Sequence, residues 1–457
     1  MENIIFPKLN TNSHLKKLTD YVLVYSDNPS NTAILHPSHA LLLGLANGSR
    51  STADLYYLYS EIYTLSLSAA KNIVDALFIQ MKRHLSFQKN KTENNEAVAE
   101  LKSFIYSPNQ AVFDQIIATE LLPFPTALTI VPSFKCNFNC TYCYQNRGQT
   151  QDQLTFDQCS DIIDQAAAYH IIHITLSGGE PTLVDGWIEL LAKILQYDMI
   201  PIFTTNGFIL GKKPYFVKKL RQIGLSQITI SLDASYEELH AKITNSTNSF
   251  LHVIQAIKSL VESDIKVSIK SVLTKENFSN LSAFIDFAVS LGVKEIGISY
   301  KEFGSINSNA NAIDNLAEEE IHAAYKIIQE KNMKYRNSCN IYPPKNPYKL
   351  LHEKDCVACG AFGAGLVIFP DGNISMCEKM YGMNDFNLGN IYKDSLAASW
   401  NGTGRRTLQK HSIDPNMVDN DCSKCTVLKK CKTGCYIDSY NYKGNFFAKQ
   451  KNCTGPF

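Results

Sequence analysis

Between residues 127 and 300 the chain alternates short apolar runs with longer helical stretches. The apolar runs fall at 127–133, 171–177, 201–206, 227–232, 266–273 and 295–300. Runs of this length suit buried strands, and each gap between them has room for a crossover helix. Six strand-helix repeats imply a parallel sheet, since parallel neighbours cannot be joined by a tight turn. The expected fold class is α/β, with the sheet curved into an open barrel and its chemistry gathered at the C-terminal ends of the strands.

Residues 1–88 follow another pattern. Two apolar runs, Tyr21 to Tyr25 and Thr32 to Leu35, flank the turn-rich segment Ser26 to Asn31, a hairpin signal. An apolar helix over Ala40 to Ala46 stops at Asn47-Gly48, and a second starts near Ser51 with Leu55, Leu58, Tyr59 and Ile62. A third, from about Ala69, carries Ile73, Val74, Leu77, Phe78 and Met81 on one face. The unit reads as a small winged-helix-like domain. Residues 89–125 follow as a polar linker and a bridging helix around 97–121, then the barrel over 126–310 and a cysteine-rich domain over 311–457.

Composition narrows the function. Hydrophobic residues make up 45% and charged residues 19%, with a net charge of +1, so nothing attracts nucleic acid electrostatically. The start lacks a basic, then apolar, signal pattern and no long uncharged apolar run follows, so no membrane partner and a cytoplasmic location are expected. Thirteen cysteines in such a compartment point to metal or redox chemistry rather than disulfides. Eleven fall into spaced motifs; Cys339 is a weak outlier, and Cys159, in a predicted helix over 155–168, reads as a small packing residue.

Cys136, Cys140 and Cys143 follow the first barrel strand directly, and Tyr142 precedes the last of them. Three thiolates at this spacing suit an iron-sulfur cluster with one iron open to a small molecule. Zinc is the alternative, but it favours four ligands and C-x2-C pairs. The spacing resembles that of the radical SAM enzymes, whose fold is a partial (β/α)6 barrel. The resemblance implies a 4Fe-4S cluster whose open iron binds S-adenosyl-L-methionine (SAM) and cleaves it to a 5′-deoxyadenosyl radical. It also implies roles for the strand-exit motifs. Gly178, Gly179 and Glu180 resemble the segment that binds the SAM amino group, the glycines allowing close approach to the ligand. Thr205 and Asn206 would lie against the cofactor, and Ser231 and Asp233 where relatives contact SAM or substrate. Ser271 to Thr274 with Asn277 resembles the fifth strand and its exit. After His240 the family's usual arginine is missing, so no role for it carries over.

The C-terminal cysteines resemble the SPASM pattern, which implies two auxiliary 4Fe-4S clusters, with zinc again the alternative. By resemblance one cluster takes Cys359, Cys377 and Cys435, with Cys356 favoured as its fourth ligand, Cys339 the weaker choice, and a site open to a substrate thiolate if neither binds. The other takes Cys422, Cys425, Cys431 and Cys453. The N-terminal pattern resembles PqqD-like recognition domains, in which a precursor peptide's leader adds as a strand to the hairpin edge. Together these imply a radical SAM maturase that oxidatively modifies a ribosomally made peptide, by a carbon-carbon or thioether crosslink, with streptide-type maturases the most similar. The expected partners are the precursor peptide, with its leader on residues 1–88, and a reductant such as flavodoxin or ferredoxin. A peptide epimerase, a sulfatase-type formylglycine maturase and a non-enzymatic iron-sulfur peptide-binding protein are the alternatives. No catalytic base stands out.

Overall fold

The computed structural model describes residues 4–27, 32–92, 101–119, 122–145, 150–300, 316–344, 365–450 and the single positions 359, 361, 363, 453 and 455. The chain forms two compact units, Met1–Pro123 and Phe124–Phe457.

In the first unit β1 (Phe6–Leu9), β2 (Ser13–Lys17), β3 (Val22–Ser26) and β4 (Ala33–Leu35) precede the helices Pro37–Leu45, Thr52–Tyr63 and Leu67–Gln80, and β5 (Leu85–Gln88) follows. The expected hairpin is β3 against β4, with Val22 opposite Leu35, and β2 extends it on the other side of β3. β1 and β5 form a separate antiparallel pair. The second helix starts at a capping box, with Ser51 Oγ accepting from Asp54 N and the Asp54 carboxylate from Ser51 N. Leu42, Leu43, Leu55, Val74 and Leu77 form the centre of the core. The segment expected to be a linker also belongs here. Phe104, in the short 3₁₀ turn Leu101–Phe104, is buried in this core, and Tyr106 Oη donates to Leu18 O and Tyr21 O. The bridging helix is shorter than expected, at Gln110–Thr119, because that turn and an irregular stretch occupy its first half.

In the second unit β6 (Ala127–Ile130), β7 (His173–Leu176), β8 (Ile200–Thr205), β9 (Gln227–Ser231), β10 (Lys266–Leu273) and β11 (Glu295–Tyr300) lie parallel in chain order. The sheet does not end there. β12 (Asn340–Tyr342) pairs parallel with β11, and β13 (Gly365–Ile368) pairs parallel with β6. β14 (Asn373–Ser375) and β15 (Gly389–Asn390) continue it antiparallel. The boundary expected near residue 310 is therefore bridged: strands from beyond it cover both exposed edges of the six-stranded sheet.

Along β9 to β11 the side chains alternate. Ile228, Ile230, Val267, Ile269, Ile296 and Ile298 are buried, and Ile230 lies beside Ala256 of the helix Ser249–Glu262, so this face carries the helices. Each of these side chains contributes roughly 1.5–3 kcal/mol by leaving water. Thr229, Ser231, Ser268, Lys270 and Gly297 occupy the opposite face. Among the described residues no single helix is long and apolar enough to cross a membrane. The bent pair Thr52–Tyr63 and Leu67–Gln80, which passes only when taken together, packs in the first unit's core.

Candidate active site

After β6 the chain stays extended, with Val131 N donating to Ile368 O, and then turns through the three cysteines. The turn is fastened from two sides. Asn139 N donates to Thr244 O and Thr141 N to Ile243 O, at the end of the helix Glu237–Thr244. On the other side, Gly179 N donates to Ser133 O (3.0 Å) and Glu180 N to Lys135 O (2.9 Å). A Cβ on Gly178 would lie 2.3 Å from Ser133 O, and one on Gly179 2.0 Å from Lys135 O. The glycines therefore let backbone approach backbone at this point.

Glu180 is buried. Its Oε1 accepts from Thr182 N, Thr182 Oγ1 and Thr205 Oγ1, and its Oε2 accepts from Asn206 N at 2.8 Å. Burial pushes its carboxyl above the usual range, against the pull of these donors. With one donor against three on Oε1, Oε2 is the oxygen with acceptor capacity left for an ammonium group. Asn206 Nδ2 donates to Asn137 Oδ1 (2.8 Å), tying the β8 exit to the cysteine loop. The Asn137 Nδ2, one residue after Cys136, is buried with no acceptor among the described residues, and Phe138 N points at Cys136 Sγ (3.4 Å). Donors aimed at sulfur and at an unfilled position suit an anionic iron-sulfur cluster with a carboxylate-bearing ligand.

Asp233 is buried. Its Oδ2 accepts from Tyr142 Oη (2.6 Å), and its Oδ1 from Val272 N and Ser271 Oγ. Burial still raises it to about 6. The carboxylate thus positions the aromatic residue between Cys140 and Cys143. Ser231, the last residue of β9, stands in register with Lys270. Asn277 is structural, its Nδ2 donating to Asp233 O and Val272 O. His240 is buried between Phe138 and Phe250, with neither ring nitrogen hydrogen-bonded among the described residues, and burial lowers it to about 4.

The sequence motifs did not point to Glu378. It follows Cys377 and accepts from Ser177 Oγ, Tyr144 Oη (3.0 Å) and Gln145 Nε2 (3.4 Å), so the C-terminal cysteine region meets both barrel motifs. Only its place beside a motif cysteine could have drawn attention to it.

Cys359, Cys377 and Cys435 pack against one small core of Met376, Met380, Phe386, Tyr436 and Ile437. Burial pushes the Cys377 thiol up to about 12, and the neighbouring Cys359 adds to this. Burial raises Cys422 too, helped by Asp419, Cys453 and Cys431, and Cys425 N donates to Cys422 O. The two groups are thus gathered separately. Between Cys431 and Cys435 the chain runs left-handed through Lys432, Thr433 and Gly434, and Thr433 is a buried β-branched residue at φ 63°. Among the described residues no three His, Cys, Asp or Glu side chains converge as one ion would require. A four-iron cluster spreads its thiolates around a cube, farther from one another than the ligands of a single tetrahedral zinc. Cys356 lies outside the described residues. Cys159 is buried in the helix Phe156–Ala168, and Cys339 is buried just before β12, the sheet edge opposite β15.

The family description Radical SAM superfamily matches residues 130–288, and that of the SPASM iron-sulfur cluster-binding domain matches residues 359–426. The chain is 26% identical over 221 residues to a probable GTP 3′,8-cyclase of Sulfurisphaera tokodaii, covering 48% of this chain and 68% of that protein. It is 23% identical over 327 residues to PqqA peptide cyclase of Methylorubrum extorquens strain PA1, covering 68% of this chain and 83% of that protein. SuiB of Streptococcus suis, solved with S-adenosylmethionine, superposes with a TM-score of 0.68 at 16% identity, over 98% of this chain and 100% of that one. It has also been solved with its precursor peptide SuiA. At these identities the likeness to SuiB carries the fold.

Proposed function

From a chain that carries a radical SAM domain followed by a SPASM domain, we propose a maturase that removes hydrogen from a ribosomally made precursor peptide and leaves a carbon-carbon or thioether crosslink. The observation that carries the reading is the likeness of fold over nearly the whole chain, first unit included, to a protein solved with its precursor peptide. PqqA peptide cyclase, named for action on a peptide, supports it from the sequence side. The likeness to streptide-type maturases is the finest grain of the proposal.

Cys136, Cys140 and Cys143 hold the cluster that binds SAM, and Glu180 accepts from the SAM ammonium. Bound there, cluster and SAM supply one electron and a 5′-deoxyadenosyl radical able to take a hydrogen atom. The chain's own residues fix the geometry. Tyr142 and Asp233 hold the cysteine turn, Asn206 and Asn137 tie it to the β8 exit, and Gly178 and Gly179 let the two loops touch. Cys359, Cys377 and Cys435, with Cys356, hold one auxiliary cluster, and Cys422, Cys425, Cys431 and Cys453 the other. A crosslink removes two hydrogens, one as an atom and the other as a proton with its electron; a cluster held by these cysteines would supply the acceptor for that electron. Residues 1–88 form a PqqD-like domain in which a leader strand adds to the sheet of β2, β3 and β4. A flavodoxin or ferredoxin supplies the reducing electron.

The test is anaerobic reduction of reconstituted protein with SAM. Production of 5′-deoxyadenosine, lost in Cys140→Ala, is expected. No product from fully loaded protein, with or without peptide, would overturn the reading.

A further inference from the structure

The barrel's inner face is built for a polar guest between β9 and β12. In register across the sheet stand Ser231, Lys270, Gly297 and Tyr342. Parallel in-register residues point to the same side, so these four form one row. The adjacent row is Thr229, Ser268 and Glu295. Lys270, Gly297 and Tyr342 of the first row, with Thr229, Ser268 and Glu295 of the second and with Ser299, line a cavity of about 290 Å³. A closed β/α barrel fills this space with branched apolar side chains; here hydroxyls, a lysine and a glycine leave it open.

Its charges are unequal. Glu295 is neutralised by Lys266 at 2.7 Å and also accepts from Ser268 Oγ at 2.9 Å. Lys270 makes no ion pair or side-chain hydrogen bond with any described residue. Gly297 stands beside it, and a Cβ there would meet only Ile269 O, at 3.8 Å. The missing side chain is what gives access to the ammonium group.

The geometry points to Lys270 as a substrate-binding residue that takes a carboxylate of the peptide, from an Asp or Glu side chain or from the chain terminus. This rests on the peptide reading above. The ammonium supplies the charge-assisted hydrogen bond, the hydroxyls of Ser299 and Tyr342 flank the anion, and Gly297 leaves its path open.

The test uses cluster-loaded protein and the precursor peptide encoded beside the gene. That peptide is compared with versions in which each Asp or Glu becomes Asn or Gln, and with one amidated at its terminus. Lys270→Met is expected to raise KM about tenfold or more, while one of the altered peptides loses the same factor with wild type and nothing further with the variant. Which peptide does so separates side chain from terminus. Gly297→Val, which closes the path without striking backbone, should raise KM similarly. Peptide-free 5′-deoxyadenosine formation should be unchanged in both. A KM within twofold of wild type in Lys270→Met, or equal losses on every peptide, overturns the proposal. Should wild type modify no peptide, the peptide reading fails by itself. The site is then read by carbodiimide coupling of acetyl-Gly-Asp-Gly-amide to the loaded protein. Coupling at Lys270 about tenfold above the exposed Lys218, and abolished in Gly297→Val, supports the carboxylate site; equal coupling overturns it.

Discussion

Gly179→Ala puts a methyl group where Lys135 already has its carbonyl. The added Cβ would lie 2.0 Å from Lys135 O, 2.4 Å from Lys135 C and 2.6 Å from Phe134 O. Backbone cannot swing aside as a side-chain tip can, so one loop must retreat by roughly 1.5 Å to restore ordinary contact. That separation breaks Gly179 N to Ser133 O and Glu180 N to Lys135 O, each about 1 kcal/mol net. Overpacking strain adds about 1–3 kcal/mol. The variant should lose about 3–5 kcal/mol, and because Lys135 precedes Cys136 the loss should fall on the barrel cluster. Urea unfolding and iron content of the reconstituted protein are the assays. The expected result is one cluster's worth of iron missing, with the rest retained. Gly224→Ala is the control. Gly224 has φ +83° with nothing within 4 Å of its would-be Cβ, so only left-handed strain of about 1–2 kcal/mol applies. Wild-type iron content and stability in Gly179→Ala would refute the claim that the two loops are in fixed contact.

Glu180→Gln replaces an acceptor facing Asn206 N with an amide donor and removes the charge opposite an ammonium. SAM binding, measured by equilibrium dialysis, should weaken about 10- to 150-fold. Tyr142→Phe removes the 2.6 Å bond to Asp233 and should cost about 1.5–3 kcal/mol in urea unfolding, since the acceptor is a buried carboxylate. Burial lowers His240 from 6.5 to about 4, so between those values the unfolded chain binds a proton that the folded chain refuses. Stability is full above about pH 6.5 and falls as pH drops towards 4, by up to about 3 kcal/mol. His240→Phe should flatten that acid limb in unfolding measured at pH 7.5 and pH 5. Cys159→Ala should leave iron content unchanged, because its thiol is buried in the helix Phe156–Ala168 and belongs to none of the spaced cysteine motifs.

The six barrel strands were legible because a strand buried on one face by isoleucines in a parallel sheet writes itself as an apolar run. β1, β2, β5, β12 and β14 were not. They are three to five residues long, with polar residues such as Lys16, Lys17 and Asn373, and pairing with distant partners rather than local pattern makes them strands. The cysteine spacings and the Gly-Gly-Glu segment were legible because chemistry fixes them locally. The partners of those residues were not. Asp233 reads as a ligand contact at a strand exit, yet it holds Tyr142, 91 residues earlier. Glu378 reaches Ser177 across 201 residues, a proximity that only the folded sheet creates.

The intact mass of the peptide encoded beside this gene, coexpressed with the protein in a host competent for iron-sulfur assembly, tests the central claim most directly. The account predicts the loss of two hydrogens per modification, absent when Cys140→Ala replaces the wild-type protein. An unchanged mass from protein that carries its clusters and cleaves SAM would contradict it.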